Sequence, residues 1–125
     1  METIAPNIFL NDLPATTAFY KLLGFEVVAS VPDDQGKDLF VMMQNGTVTV
    51  MFQTFASIEN SLPHVSRQNG GSLLLYIKLK GIRTFFEQVK DKVTVLTGLE
   101  KTFYGATEFS IVDINNYMLT FAEDE

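Results

Sequence analysis

The chain has 125 residues, 46% of them hydrophobic and 19% charged, a length and composition suited to one packed domain and not to disorder. It contains no cysteine, which excludes disulfides, zinc–thiolate centres and thiol catalysis together. Nine Lys and Arg against fifteen Asp and Glu leave a formal net charge of −6, so the basic face that nucleic acid requires is missing and cationic partners are favoured over anionic ones.

A first strand is predicted over residues 3–11. Asp12 then offers an N-cap, Pro14 suits the first helical turn, Phe19, Leu22 and Leu23 make an apolar stripe, and Gly24 stands where a left-handed stop belongs. Strands rich in β-branched and aromatic residues follow at 26–31, 38–44 and 47–53, separated by turn chemistry at 32–36 and at Asn45 and Gly46. Residues 57–71, with Pro63, Gly70 and Gly71, read as a linker. Beyond it come a strand at 72–80 and a helix from 82 to 89, whose Ile82, Phe85, Phe86 and Val89 recur at i, i+3, i+4 and i+7. Strands at 93–97, 107–113 and 117–123 complete the chain, the last two joined by a turn at Asn115 and Asn116. No apolar run reaches the roughly 18 residues of a membrane span. No basic-then-apolar leader follows Met1, so neither membrane nor secretory route is expected and the cytoplasm is the default.

The order is βαβββ twice. An offset of 70 lays Asn45 on Asn115 and Gln53 on Glu123, and an offset of 69 lays Leu10 on Leu79 and Leu13 on Ile82. The fold class predicted is α+β: one domain over 1–125, with pseudo-repeats 1–56 and 72–125, forming a curled mixed sheet around a cleft with helices on the outer face.

Two stretches carry a family resemblance. The first is a hydrophobic strand from Ile8, then "NDL", then "AFYKLLGF"; the second is "YGATEFSIVDINNYMLTFAE" at 104–123. They resemble the vicinal oxygen chelate superfamily, which includes glyoxalase I, extradiol dioxygenases and bleomycin resistance proteins. The second is similar to the closing "WG-x-REF-x-x-x-DP-x-GN" hairpin of the bleomycin-resistance branch. Ile114 replaces the proline of that pattern and Asn116 the glycine, and asparagine tolerates the left-handed turn that the glycine supplies.

The resemblance implies four symmetry-related strand positions that hold a divalent metal through His, Gln or Glu. In this chain Ala5, Val50, Leu74 and Thr120 fall on them, three aliphatic side chains and a hydroxyl, so no metal and no cofactor is expected. The single histidine, His64, lies beside Pro63 in the linker and reads as a surface imidazole. Strand alternation from those positions sends Ala5, Asn7 and Phe9, Phe40 and Met42, and Val48, Val50 and Phe52 into the cleft. From the second half come Leu74, Tyr76 and Lys78, then Glu108, Ser110 and Val112, then Met118 and Thr120. The opposite parity, with Ile8, Leu10, Phe109, Ile111, Leu119 and Phe121, should lie beneath the helices. The ligand-binding set is therefore Phe9, Phe40, Phe52, Tyr76, Tyr104, Glu108 and Thr120, flanked by Phe55 and Phe103. The same aromatic residues would also suit a filled core, and Glu108 an ion pair with Lys78. Glu108 and Asp113 should lie on opposite faces of their strand.

What the resemblance implies is a metal-free protein, similar to the bleomycin resistance proteins, that sequesters an apolar or aromatic small organic ligand, cationic ones included, as a homodimer and with a role in antibiotic resistance. The competing reading is a glyoxalase- or dioxygenase-like enzyme with an atypical metal site, in which Tyr76 and Glu108 would be the only proton-transfer groups. A structural dimer module with a closed pocket is the third.

Overall fold

Parallel strands cannot be joined by a hairpin, so the first strand of a βαβββ module leaves its sheet through a helix before the rest of the sheet forms. The computed structural model describes residues 1–125 and divides them into two units, Met1–Asn69 and Gly70–Glu125, each built in this way. The first holds β1 (Asn7–Leu10), α1 (Leu13–Leu22), β2 (Glu26–Pro32), β3 (Asp38–Asn45), β4 (Val48–Thr54) and α2 (Phe55–Ile58). The second holds β5 (Leu74–Lys78), α3 (Ile82–Val89), β6 (Thr94–Lys101), β7 (Ala106–Val112) and β8 (Met118–Asp124). Each unit has one four-stranded mixed sheet, ordered β1-β4-β3-β2 and β5-β8-β7-β6, with the first strand parallel to the last and the other pairs antiparallel. All eight predicted strands and both long predicted helices are present.

In the first unit the helix starts as its sequence requires. Asp12 Oδ1 accepts from the Ala15 amide at 3.0 Å, and Thr16 Oγ1 donates back to the Asp12 carbonyl at 2.7 Å. Gly24, at φ 93°, ends the helix where a Cβ would come within 2.9 Å of the Asn45 amide nitrogen. The buried stripe is Leu13, Thr16, Phe19 and Tyr20, continued by Leu23. Leu22, expected in that stripe, points away from it and is exposed, because it stands two residues after Tyr20 and one before Leu23, off the buried face. Tyr20 is the hub: it meets Phe19 and Phe25 edge-on at 5.4 and 5.7 Å, and its ring lies 4.6 Å from that of Phe52.

That last contact corrects the expected parity of β4. Phe52 pairs in register with Ile8 and Val41, and Val50 with Met43, all buried, so Val50 and Phe52 face α1 and not the open side of the sheet. The open face of β4 carries Thr49, Met51 and Gln53 instead. Pairing of Asn7 with Met51 and of Tyr76 with Thr120 sets the true offset between β4 and β8 at 69, one less than the aligned asparagines suggested. Asn45 and Asn115 are not equivalent. Asn45 ends β3 and donates to the Leu23 carbonyl, whereas Asn115 is buried inside the 113–117 turn, its amide bonded to Asp113 Oδ1. A one-residue slip moves every side chain to the other face.

The linker is not without structure. The Arg67 guanidinium donates to the carbonyls of Glu59, Ser61, Leu62 and Val65 at 2.6–3.1 Å, tying the 59–67 loop to itself, and His64 is exposed on it.

The second unit repeats the aromatic core. Phe85 lies 4.9 Å from Phe121 and Phe86 4.9 Å from Phe109, while Phe109 and Phe121 stack at 5.1 Å. The helix start is solved differently. Gly81 occupies the N-cap and has no side chain, so Glu123 reaches over from β8: its Oε2 accepts from the Gly81 amide at 3.1 Å and its Oε1 from the Ile82 amide at 3.0 Å. Asn116 takes φ 66°, as its place in the turn pattern required, and Gly70 lies against it so closely that a Cβ there would stand 2.6 Å from the Asn116 carbonyl.

Two outcomes follow from these contacts. Phe52→Ala should lower unfolding free energy by about 3–5 kcal/mol in urea titration, while Phe40→Ala on the open face should cost clearly less. The two backbone amides hold the Glu123 carboxyl below its usual range. A depressed carboxylate stabilises the fold above its unfolded pKa, and that stabilisation disappears as pH falls through the folded value. Wild-type melting temperature should therefore drop faster than that of Glu123→Ala between pH 5 and pH 3, the two curves converging at the acid end; parallel curves would contradict the cap.

Candidate functional site

Three of the expected ligand residues meet on the open face of the second sheet. Glu108 stands on β7 and Tyr76 on β5, two strands away, with β8 between them. The two residues of β8 that lie between them are small: Thr120, 6% exposed and bonded to Ser110 at 2.8 Å, and Ala122, fully buried. The Tyr76 ring crosses above them, and its hydroxyl donates to Glu108 Oε2 at 2.5 Å. Tyr104 comes from the turn between β6 and β7, closed by the Thr102 amide on the Ala106 carbonyl at 2.8 Å and by Ala106 on Thr102 Oγ1 at 3.0 Å. Its hydroxyl donates to the same Oε2. Both rings remain about half exposed, and Phe103, its side chain wholly in solvent, meets Tyr104 edge-on at 5.1 Å.

The carboxylate accepting these hydroxyls raises both phenols above the ordinary tyrosine range, Tyr76 the more strongly, with partial desolvation adding to the effect. A phenol so held stays protonated at neutral pH and acts as a donor. Glu108 does not pair with Lys78, the structural partner considered for it. Lys78 Nζ instead lies 3.0 Å from Asp124 Oδ2, in a pair exposed enough to contribute little. Asp113 stands just past the end of β7, buried, and accepts from the amides of Asn115 and Tyr117, which makes it a turn residue.

The first unit holds the other expected residues. Phe9 and Phe40 lie half-buried on its open face, each in register with Gln53. Gln53 accepts from Asn7 and donates to Ser57, both at 3.0 Å. Phe52 belongs to the core below. Sequence reading missed Glu100, which the register sets directly opposite Glu108 on β6. Irregularities between Val95 and Thr97 and between Thr97 and Glu100 break the strand's alternation, so no periodic signal marked it.

The metal positions implied by the resemblance carry Ala5, Met51 (in place of Val50), Leu74 and Thr120. Aliphatic groups, one thioether and one hydroxyl already bonded to Ser110 do not fit a divalent cation, and no three His, Cys, Asp or Glu side chains cluster elsewhere. No helix is long and apolar enough to cross a membrane.

Comparison with known proteins bears on this arrangement. The chain is similar in fold to a bleomycin-binding protein solved in complex with bleomycin (22% identity, TM-score 0.69, 100% of each chain covered). It is similar also to a bleomycin resistance determinant encoded on the transposon Tn5 (22% identity, TM-score 0.70, 100% of this chain and 99% of that one). A glyoxalase/bleomycin resistance protein/dioxygenase family enzyme from Burkholderia phytofirmans PsJN gives 19% identity and TM-score 0.77 over 97% of both chains. No curated protein sequence matches. The sequence profile of the Glyoxalase/Bleomycin resistance protein/Dioxygenase superfamily matches residues 3–121, nearly the whole of a chain whose two βαβββ units already have that architecture, and the protein belongs to this superfamily.

Proposed function

We propose that this chain is a small-molecule binding protein that sequesters an aromatic or apolar organic compound on the open face of its second sheet, without a metal. The observation that carries the reading is the convergence of Tyr76 and Tyr104 on one oxygen of Glu108. Two half-exposed rings fixed by their own hydroxyls lose little rotamer freedom when a flat ligand stacks on them. The positions implied for metal ligands lack suitable donors, and phenols held as donors are poor general bases, which favours binding over metal-dependent or proton-transfer catalysis. The solved protein complexed with bleomycin, of the same fold, supports sequestration of an organic compound as the kind of task. A cytoplasmic homodimer serving in antibiotic resistance is the setting we infer for it.

Two measurements test this. Melting temperature followed with 2-naphthol or acridine as probe should rise to the same extent in EDTA and with added Mn2+ or Zn2+, since binding to the folded state stabilises it by mass action. A rise seen only with metal, or a stoichiometric metal that activates turnover about tenfold or more, would replace binding by enzymatic function. In a 13C NMR titration of the tyrosine rings, Tyr76 should remain protonated well above the ordinary value of 10.0, and Glu108→Gln should bring its midpoint back toward that value. A phenol raised in the folded state contributes stability that is whole below its unfolded pKa and lost as pH rises through the folded one. The melting temperature of the wild type should therefore fall toward that of Glu108→Gln only at strongly alkaline pH. A wild-type midpoint at or below 10.0 would refute the donor role.

A further inference from the structure

Like charges placed directly opposite each other on an antiparallel pair repel, and a sheet that keeps them leaves an attraction for a cation unfilled. Glu100 and Glu108 are such partners across β6 and β7 and share the open face. Neither is paired with a basic side chain: the salt bridges of the chain are Lys78–Asp124 and Lys90–Glu87. Lys101, next along β6, pairs in register with Thr107 and so lies on the other face. The hydrogen bonds of Glu108 are equally lopsided. Both tyrosine hydroxyls reach Oε2, and Oε1 accepts none. The same carboxylate thus carries the rings of Tyr76 and Tyr104 at its other oxygen, with Phe103 edge-on to the latter at 84°.

Resting on the small-molecule reading of the same face, we propose that the ligand class is an arylalkyl ammonium. Its N–H donates to Glu108 Oε1 in a charge-assisted hydrogen bond, and Glu100 adds a second negative charge. The ammonium lies against the faces of the tyrosine rings, whose quadrupoles attract it, and the aryl group stacks beside Phe103 and Tyr104. A divalent metal suits the site less well. One oxygen of Glu108 is already taken by two phenol hydroxyls, which leaves its other oxygen and the Glu100 carboxylate, fewer oxygen donors than a divalent cation takes. The net charge of −6 attracts such a ligand from a distance.

The test is calorimetric titration of the full chain with phenethylammonium and with 2-phenylethanol, its uncharged counterpart, followed by competition with Mn2+. The ammonium should bind about tenfold or more tightly than the alcohol, and the gap should narrow with added salt. Glu108→Gln should reduce ammonium affinity to the level of the alcohol while alcohol binding stays within about twofold, and Glu100→Gln should give an intermediate loss. Tyr104→Phe, which keeps the ring, should retain most of the preference. Equal affinities in the wild type, or a preference that survives Glu108→Gln, would overturn the ammonium and leave the binding reading standing. Stoichiometric Mn2+ uptake abolished by Glu108→Gln would overturn both in favour of a metal, and failure of both organic probes to bind would overturn both without one.

Discussion

In each unit one ring on the last strand lies beneath the crossing helix, and that single burial decides where every other strand residue points. Phe52 is held against Tyr20, and Phe121 against Phe85 and Phe109. A strand alternates faces with a period of two, so once these rings are inside, Met51 and Gln53 in one unit and Thr120 and Ala122 in the other must lie outside. The consequence differs between units because the outward residues differ. Gln53 fills its place with an amide bonded on both sides, to Asn7 and Ser57. Ala122 leaves the ground above β8 low, and the Tyr76 ring can cross it to reach Glu108.

The two helix starts show the same fold meeting one electrostatic demand by separate means. The orphan amides of α1 are met locally, by Asp12 three residues before Ala15. In α3 the equivalent position is glycine, and the acceptor comes from β8, from Glu123. A remote cap does more than satisfy amides. It ties the register of β8 to the helix, on the face opposite Ala122, so that the strand passing beneath Tyr76 is pinned from below by Phe121 and Glu123 while Asp124 bonds Lys78 above. The counterpart of Glu123 in the first unit is Thr54, which caps the short α2 at Ser57 instead.

Much of this was legible in the residues. Helix limits followed from Asp12, Gly24 and the period of Ile82, Phe85, Phe86 and Val89, and strands from β-branched and aromatic runs, because those signals are local. Pairing register is not local. The asparagines at 45 and 115 look alike in sequence, yet one closes a tight hairpin through Gly46 and Thr47 and the other is buried in a longer turn, and the difference reversed the predicted faces of β4. Glu100 stayed hidden for a related reason, since irregular pairing near Gly98 breaks the alternation of β6. The convergence of Tyr76 and Tyr104 on Glu108 depends on a ring crossing an intervening strand, which spacing along the chain does not encode.

The open face of the second sheet also explains how an unfavourable charge pair is retained. A buried carboxylate without partners would be costly, and Asp113, buried in the turn after β7, is bonded to two amides. On the exposed side water screens Glu100 from Glu108, so their repulsion stays small while the face is bare. Screening works in both directions. A flat ligand laid across Tyr76 and Tyr104 displaces that water and lowers the local dielectric, which strengthens whatever charge interaction the ligand brings. An anion would then meet two carboxylates without solvent between them, and a cation would meet their attraction under the same conditions. On the ammonium reading proposed for it, the face discriminates by charge most strongly at the moment it is covered, and that discrimination needs no movement of the sheet that supports it.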